Sequence, residues 1–155
     1  MHFETREDID SPIETMFAAV TDFETFERSA LRRGIEVQRK SGSAEAISEL
    51  AWDVGFEFRG TKREMQLSVA ECDAPTSITL VASGNGMTGE MKVDLLALSP
   101  RRTRMTVRIE LSPKTLAARL LVQSLKLARN KLNRKFSQRV AEFARMAAEG
   151  RDLTA

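Results

Sequence analysis

Residues 9–14 read Ile9-Asp10-Ser11-Pro12-Ile13-Glu14, and they decide how the chain begins to fold. The preceding residues, His2 to Ile9, alternate in the manner of a β-strand, and the following apolar residues recur at helical spacing. Ser11 can cap a helix, Pro12 suits the first helical position, and Glu14 completes a capping box. The segment therefore predicts a strand that passes directly into a helix.

A second short helix is predicted immediately downstream. Thr21-Asp22 provides another cap, and Phe23, Phe26 and Leu31 supply its apolar positions. Gly34 can end this helix because glycine readily adopts the left-handed conformation. Two short helices are therefore expected after the first strand.

From about Ile35 to Leu111 the pattern is almost entirely that of strands. The clearest strand is Glu49 to Arg59, where large apolar side chains alternate with polar ones. Turn signals at residues 41–43, 60–61, 73–76, 84–86 and 99–102 separate these strands. Together with the strand His2 to Ile9, about seven strands are predicted. Connections this short leave no room for crossover helices, so we predict one antiparallel sheet.

One long helix, from about Lys114 to Glu149, is predicted to close the chain after a Ser112-Pro113 cap. At about 1.5 Å per residue it would span about 54 Å. A continuous apolar stripe for the sheet is formed by Ala117, Leu121, Leu125, Ala128, Leu132, Phe136, Val140, Phe143 and Ala147.

The first half of this helix carries apolar residues on its other sides as well, namely Leu116, Leu120, Val122 and Leu127. A helix that is apolar nearly all round is buried on more than one side. The second surface could be another subunit, giving a homodimer, or a bound ligand, a membrane or the two short helices. We favour the two short helices because they require no further component.

The composition is typical of a globular protein, with 155 residues, 42% of them hydrophobic and 30% charged. We expect a single domain spanning 1–155. The lone cysteine, Cys72, permits no internal disulfide and indicates a reducing compartment. The acidic N-terminal residues argue against a signal peptide, and no segment approaches the roughly 20 apolar residues that span a bilayer. A cytoplasmic location is therefore expected.

The net charge of +2 hides an asymmetry, because residues 1–77 carry an acidic excess and residues 78–155 a basic one. Between Leu111 and Ala141 there is no acidic residue. The basic residues in that stretch are Lys114, Arg119, Lys126, Arg129, Lys131, Arg134, Lys135 and Arg139. Such a helix could meet nucleic acid, an anionic lipid surface or an acidic ligand, although a solvated face is the interpretation we favour. Nucleic acid is disfavoured because no series of aromatic side chains interleaves with the basic residues.

The order of elements resembles the START-like superfamily (helix-grip fold, SRPBCC), particularly its polyketide-cyclase/dehydrase-type branch. The resemblance is carried by Ile9-Asp10-Ser11-Pro12-Ile13-Glu14, Met16-Phe17 and Thr21-Asp22-Phe23, and by the long terminal helix. Where many members place a tryptophan and a proline after the Thr-Asp pair, this chain has Phe26-Glu27-Arg28-Ser29. The resemblance implies an α+β protein with a curved antiparallel sheet gripping the terminal helix. It also implies an elongated cavity for lipids, sterols, polyketides or other apolar molecules.

Catalytic side chains are scarce. The only histidine is His2 and the only cysteine is Cys72, so no nucleophilic triad and no zinc site can be assembled, and tyrosine is absent. We expect no metal, no cofactor and no assigned catalytic residue. Residues 84–89 have the glycine spacing of a dinucleotide loop, but a strand rather than a helix follows, which predicts a hairpin turn. The strand carboxylates Asp53, Glu57, Glu90, Asp94 and Glu110 alternate out of phase with the apolar residues and should face solvent.

The sequence therefore predicts binding of a hydrophobic small molecule between sheet and terminal helix. The residues expected to contact it are Trp52, Val54, Phe56, Phe58, Met65, Leu67, Met91, Met105, Leu121 and Leu125. One alternative is a cyclase, dehydratase or hydrolase acting on a polyketide-like or aromatic substrate, which would need an inward polar group such as Asp53, Arg59 or Glu90. A second alternative is docking to a lipid surface or partner through the basic terminal helix.

Overall fold

The computed structural model describes residues 1–150, so the predicted domain over 1–155 extends five residues beyond the described part. The strands are β1 His2–Ile9, β2 Glu36–Ser43, β3 Ala46–Phe58, β4 Thr61–Asp73, β5 Ser77–Gly84, β6 Met87–Ser99 and β7 Arg102–Pro113. The helices are α1 Ile13–Val20, α2 Phe23–Arg32, α3 Leu116–Leu127 and α4 Arg129–Glu149. Within the described part, none of these helices is long and apolar enough to cross a membrane.

All seven strands form one antiparallel sheet in the order β1-β7-β6-β5-β4-β3-β2, which confirms the predicted sheet. Each strand from β2 to β7 pairs with the next along the chain, and β1 lies beside β7 with Ile9 opposite Thr103. The glycine-rich segment forms the two-residue turn Asn85-Gly86 between β5 and β6, with both residues at positive φ. It is therefore the predicted hairpin and not a dinucleotide loop.

One face of the sheet, here called the inner face, carries the hydrophobic core. Trp52, Ile78, Val93 and Met105 on this face are buried, and Met16 of α1 packs into the same cluster without any exposed surface. At the end of α4 the small residues Ala144 and Ala147 join the cluster. Removing this apolar surface from water provides most of the free energy that closes α1 and α4 onto the sheet.

The strand-to-helix step differs from its prediction in one respect, because Ser11 does not cap α1. Pro12 occupies the N-cap position, and no side chain forms a capping hydrogen bond there. Ser11 is buried, and its carbonyl accepts a 2.8 Å hydrogen bond from the Thr103 hydroxyl of β7. A buried carbonyl needs such a partner, so the residue joins α1 to the sheet. The second predicted cap is confirmed, since Asp22 accepts from the Thr25 N–H at 3.3 Å.

The terminal helix is interrupted, which the apolar stripe did not predict. The backbone leaves the helical conformation at Ala128, with φ −104° and ψ 18°, and this residue separates α3 from α4. Just beyond the break, the Arg129 guanidinium donates to the His2 carbonyl at 3.0 Å, which fixes the start of α4 on β1. The predicted start is also wrong, because β7 extends to Pro113 and Thr115 caps α3 instead.

The second apolar side of α3 remains uncovered by the described residues. The exposed fractions are 72% for Leu116, 59% for Leu120 and 91% for Leu127, whereas Ala118 and Val122 are buried. The short helices pack elsewhere, α1 against β6, β7 and α4, and α2 against β2. The prediction that they cover α3 was therefore wrong.

The predicted turn at residues 41–43 lies inside β2, which runs to Ser43 with register shifts on either side of Ser41. Gly42 makes this irregular strand possible. Its φ is +86°, and a Cβ atom there would lie 2.5 Å from the backbone nitrogen of Leu50 on β3. The close approach of two backbones requires a residue without a side chain.

We predict that Gly42→Ala lowers the free energy of unfolding by about 3 kcal/mol or more, since it adds a backbone clash to a disfavoured φ. Gly60→Ala is the matched control, because Gly60 also has positive φ (+73°) but no atom within 4 Å of a Cβ. Its cost should be only about 1–2 kcal/mol. Urea unfolding followed by the fluorescence of Trp52, the single tryptophan, measures both. Equal costs would contradict the packing at Gly42.

Candidate functional site

A cavity of about 480 Å³ lies between the inner face of the sheet and the helices α2 and α4. Its sheet wall consists of Val37, Trp52, Val54, Leu67, Ile78, Leu80, Met91, Val93, Met105 and Val107. Its other walls consist of Val20, Phe23, Phe26, Glu27, Ala30, Ile35, Phe136, Arg139, Val140 and Phe143. A volume of this size lies within the range of sites that bind small molecules, about 300–1,000 Å³.

A chain of aromatic rings joins the sheet to both helices around the cavity. The Phe23 ring of α2 lies 5.2 Å from Trp52 on β3, measured between centroids. Phe26 of α2 stacks on Phe143 of α4 at 5.7 Å with an interplanar angle of 26°. Such pairs contribute about 0.5–1.5 kcal/mol each beyond the area they bury. Because Phe26 is 36% exposed, the Phe26–Phe143 pair lies at the rim of the cavity.

The carboxylate of Glu27, on α2, is the centre of a polar cluster at one end of the cavity. Its oxygens accept from the Arg39 guanidinium at 3.0 and 2.5 Å and from the Trp52 indole N–H at 2.9 Å. The side chains of Arg39 and Glu27 are only 27% and 21% exposed. The hydrogen bonds to Glu27 raise the pKa of the Arg39 guanidinium, and the nearby negative charge acts in the same direction. The Glu27 carboxylate and the Arg39 guanidinium thus form a two-point ion pair, and the Trp52 N–H adds a third hydrogen bond.

Of this cluster the sequence analysis predicted only Trp52 as a site residue, although the sequence also contains the signal for Glu27 and Arg39. Arg39 follows Val37 by two positions on β2 and so faces inward, like Val37. Glu27 follows Phe23 by four positions on α2 and so lies on the same side of that helix. Both residues could therefore have been predicted, because each occupies a position whose periodic neighbours are inward-facing apolar residues.

Arg139 is the other ionisable residue in the cavity wall. It lies on α4 between Phe136 and Phe143, which also line the cavity, and it is exposed. Among residues 1–150, no hydrogen bond or ion pair to its guanidinium is found. Its charge is thus available at the cavity.

Five of the ten residues predicted to contact a ligand line this cavity, namely Trp52, Val54, Leu67, Met91 and Met105. The other five, Phe56, Phe58, Met65, Leu121 and Leu125, are not among its lining residues. Leu121 and Leu125 belong to α3, which precedes the break at Ala128, whereas the cavity is lined by Phe136, Val140 and Phe143 of α4. The prediction had placed them on one continuous helix.

The remaining three lie along β3 and β4 away from the cavity. Phe58 ends β3, where the guanidinium carbons of Arg59 and Arg63 lie 5.4 and 5.7 Å from its ring centroid. Phe56, two residues before, pairs with Arg63 across the ladder. Met65 borders a separate, mainly polar depression together with Glu36, Gln38 and Glu64. Inward alternation alone therefore overestimated the length of strand that the cavity uses.

The three polar groups named for an enzyme lie outside the cavity. Asp53 forms a 3.2 Å ion pair with Lys40, and Asp53 and Glu90 both border a depression on the opposite, outer face of the sheet. Arg59 lies in the β3–β4 turn and donates to the Ser124 hydroxyl of α3. These positions agree with the alternation that placed the strand carboxylates on the solvent side.

The outer-face depression is larger, about 950 Å³, but its walls are less suited to binding an apolar ligand. It is bounded by a single layer of strands, and polar side chains such as Gln66, Ser83 and Thr88 are interspersed along its wall. A molecule there would remain in contact with water and would gain little from apolar burial. Within residues 1–150, no group of three or more His, Cys, Asp or Glu side chains could hold a metal ion.

Solved structures share this architecture at low sequence identity. TTHA0849 from Thermus thermophilus has a TM-score of 0.68 at 12% identity, with 97% of this chain and 99% of that chain covered. The Zhui aromatase/cyclase from Streptomyces sp. R1128 has a TM-score of 0.64 at 11% identity, with 94% of each chain covered. A START superfamily protein from Mycobacterium smegmatis has a TM-score of 0.54 at 15% identity, with 88% and 97% covered. No family model matches the sequence, and no curated protein is significantly similar to it.

These similarities confirm the START-like, helix-grip fold that the sequence predicted. At sequence identities of 11 to 15%, these similarities establish the fold and not the function. The polyketide-cyclase/dehydrase-type branch stays a prediction.

We predict that Glu27→Gln lowers the free energy of unfolding by about 1–2 kcal/mol, since it leaves the half-buried Arg39 charge without its counter-ion. The same change in an Arg39→Gln background should cost much less, because the charge to be compensated is gone. Glu45→Gln, at an exposed position in the turn between β2 and β3, should stay within about 0.5 kcal/mol of the wild type. Urea unfolding of the wild type, the two single variants, the double variant and the control measures these costs, and additive costs for Glu27 and Arg39 would contradict their coupling.

Proposed function

We propose that this START-like chain binds a hydrophobic small molecule, such as a lipid or a polyketide-like compound, in the cavity between the inner face and α4. The observation that carries this proposal is the wall itself, where every lining residue except Glu27 and Arg139 is apolar. Transfer of apolar ligand surface from water contributes about 25 cal/mol per Å² before the costs of association.

The incomplete burial of several wall residues supports the binding of a ligand. Leu67, Leu80 and Met91 face the cavity yet remain only half-buried, in contrast to the fully packed Ile78 and Met105 beneath them. A bound apolar molecule would complete the burial that the protein leaves unfinished. Methionine at the wall favours a site that adapts to varied shapes, because its side chain is flexible and polarisable.

The polar cluster favours binding over turnover. Glu27 is the single carboxylate in the cavity wall as described, and its oxygens already accept three hydrogen bonds. A general acid or base must reach a substrate and exchange a proton with it, and Glu27 is held by Arg39 instead. One of the similar structures is an aromatase/cyclase, so the enzyme alternative is compatible with the fold, but the described residues place no carboxylate other than Glu27 in the cavity wall.

We predict that the neutral dye Nile red binds the protein and alters the fluorescence of Trp52, the single tryptophan, which lies in the wall. Ala30→Phe should weaken this binding about tenfold or more, since Ala30 lines the cavity and the added ring occupies it. Ala18→Phe is the matched control, because Ala18 is exposed on α1 and does not line the cavity, and it should bind like the wild type.

The proposal also predicts an apolar molecule that copurifies with the protein and is detected by native mass spectrometry. Failure of the dye to bind, or equal binding by the Ala30 and Ala18 variants, would contradict the proposal. Urea unfolding of both variants shows whether a loss of binding reflects a loss of folding.

A second candidate function is docking of α3 on an anionic lipid surface, and it rests on the exposed leucines. At about 100° per residue, Leu116, Leu120 and Leu127 fall within an arc of about 40°, opposite the buried Ala118 and Val122. The basic residues Arg119 and Lys126 are exposed on the same helix, and no acidic residue occurs between 111 and 141. Interfacial helices combine these two features, with about 1 kcal/mol contributed by each basic residue near an anionic surface.

We predict that the protein sediments with vesicles of phosphatidylcholine and phosphatidylglycerol at low salt and is released at high salt. Leu120→Glu combined with Leu127→Glu should reduce sedimentation about tenfold or more, because each change places a charge in the apolar contact. Leu96→Glu is the control, since Leu96 is equally exposed (59%) but lies on β6.

Two outcomes would remove this second candidate. One is a wild-type protein that stays in the supernatant with anionic vesicles at low salt. The other is a leucine pair whose substitution converts a dimer to a monomer, which would identify the surface as an interface between two copies of the chain.

A further inference from the structure

We propose that the cavity selects amphiphiles with a negatively charged group, such as long-chain carboxylates, and that Arg139 binds this group at the mouth. This inference rests on the proposed binding function and names its ligand class. It follows from the charged residues that residues 1–150 contribute to the cavity wall, namely Glu27 and Arg139.

The first of these charges is already compensated. Glu27 accepts two hydrogen bonds from the Arg39 guanidinium and one from the Trp52 indole. The opposite charges of Glu27 and Arg39 offset each other, and both carboxylate oxygens of Glu27 already accept hydrogen bonds. A cationic ligand group would therefore find no free carboxylate in this wall.

The second charge is uncompensated. Arg139 finds no hydrogen bond or ion pair among residues 1–150, and Glu142, three positions along α4, forms no ion pair with it. Lys135, four positions before it, is also basic, so the neighbouring charge reinforces the positive potential. The net charge presented to a ligand in the cavity is therefore positive.

The position of Arg139 suits an amphiphile. Its α-helical neighbours Phe136 and Phe143 line the cavity, so the apolar part of a ligand and the guanidinium are within reach of one molecule. Arginine side chains lay their apolar stem along such a surface and keep the charged end near water. The planar guanidinium binds a carboxylate through two parallel hydrogen bonds, which a neutral hydroxyl group cannot reproduce.

Three ligands of equal chain length test this inference: dodecanoate, dodecanol and dodecyltrimethylammonium, each in competition with Nile red. Dodecanoate should bind the wild-type protein about tenfold more tightly than dodecanol, and the cation should bind most weakly. The preference should decrease as salt is added, because the charge is exposed.

Arg139→Gln should remove the preference for dodecanoate over dodecanol, whereas Arg139→Lys should retain part of this preference. Arg134→Gln is the matched control, since Arg134 is an exposed basic residue of α4 that does not line the cavity. All three variants should unfold at the wild-type urea concentration because they change exposed side chains.

The outcomes separate this inference from the function on which it rests. Equal binding of the anionic and neutral ligands, or the same result for Arg139→Gln and Arg134→Gln, would overturn the role of Arg139. The proposed apolar binding site would still stand if the dye binds. If neither the dye nor any of the three ligands binds, the proposed function fails, and the ligand class fails with it.

Discussion

The structure of the cavity depends on the carboxylate of Glu27, which ties α2 to the edge of the sheet. It accepts from Arg39 on β2 and from Trp52 on β3, so one side chain joins a helix to two strands. From this point the rings of Phe23, Phe26 and Phe143 continue to α4. The bonds of Glu27 are directional, whereas apolar contacts alone would let α2 settle onto the sheet and fill the space.

The interior thereby divides into a packed part and an open part. Met16, Ile78 and Met105 are essentially without exposed surface, and the small Ala144 and Ala147 let α4 approach the core closely at its C-terminal end. Towards Phe136 the helix carries larger residues and stands over the cavity. Folding free energy comes from the first part, so the second part can remain open for a ligand.

Alternation and turn chemistry predicted the sheet well, since Trp52 and Val54 face inward, Asp53 faces outward and Asn85-Gly86 forms a hairpin. The break at Ala128 could not be read from an uninterrupted apolar stripe, and beside it Arg129 bonds to the distant β1. Ser11 looked like a cap locally, but its buried carbonyl meets Thr103, far along the chain. The cluster of Glu27, Arg39 and Trp52 likewise joins three separate elements. The periodicity of each element indicates that its residue faces inward, but it does not show that the three residues meet.

The proposed function requires that the space beneath α4 is an apolar cavity that the protein does not fill by itself. A crystal structure determined under xenon pressure tests this claim most directly, because xenon enters dry apolar cavities. Xenon density is expected between Leu80 and Met91 of the sheet and Val140 of α4, or density for a copurified molecule in the same place. An interior closed by these side chains, with neither xenon nor a guest, would contradict the proposed function.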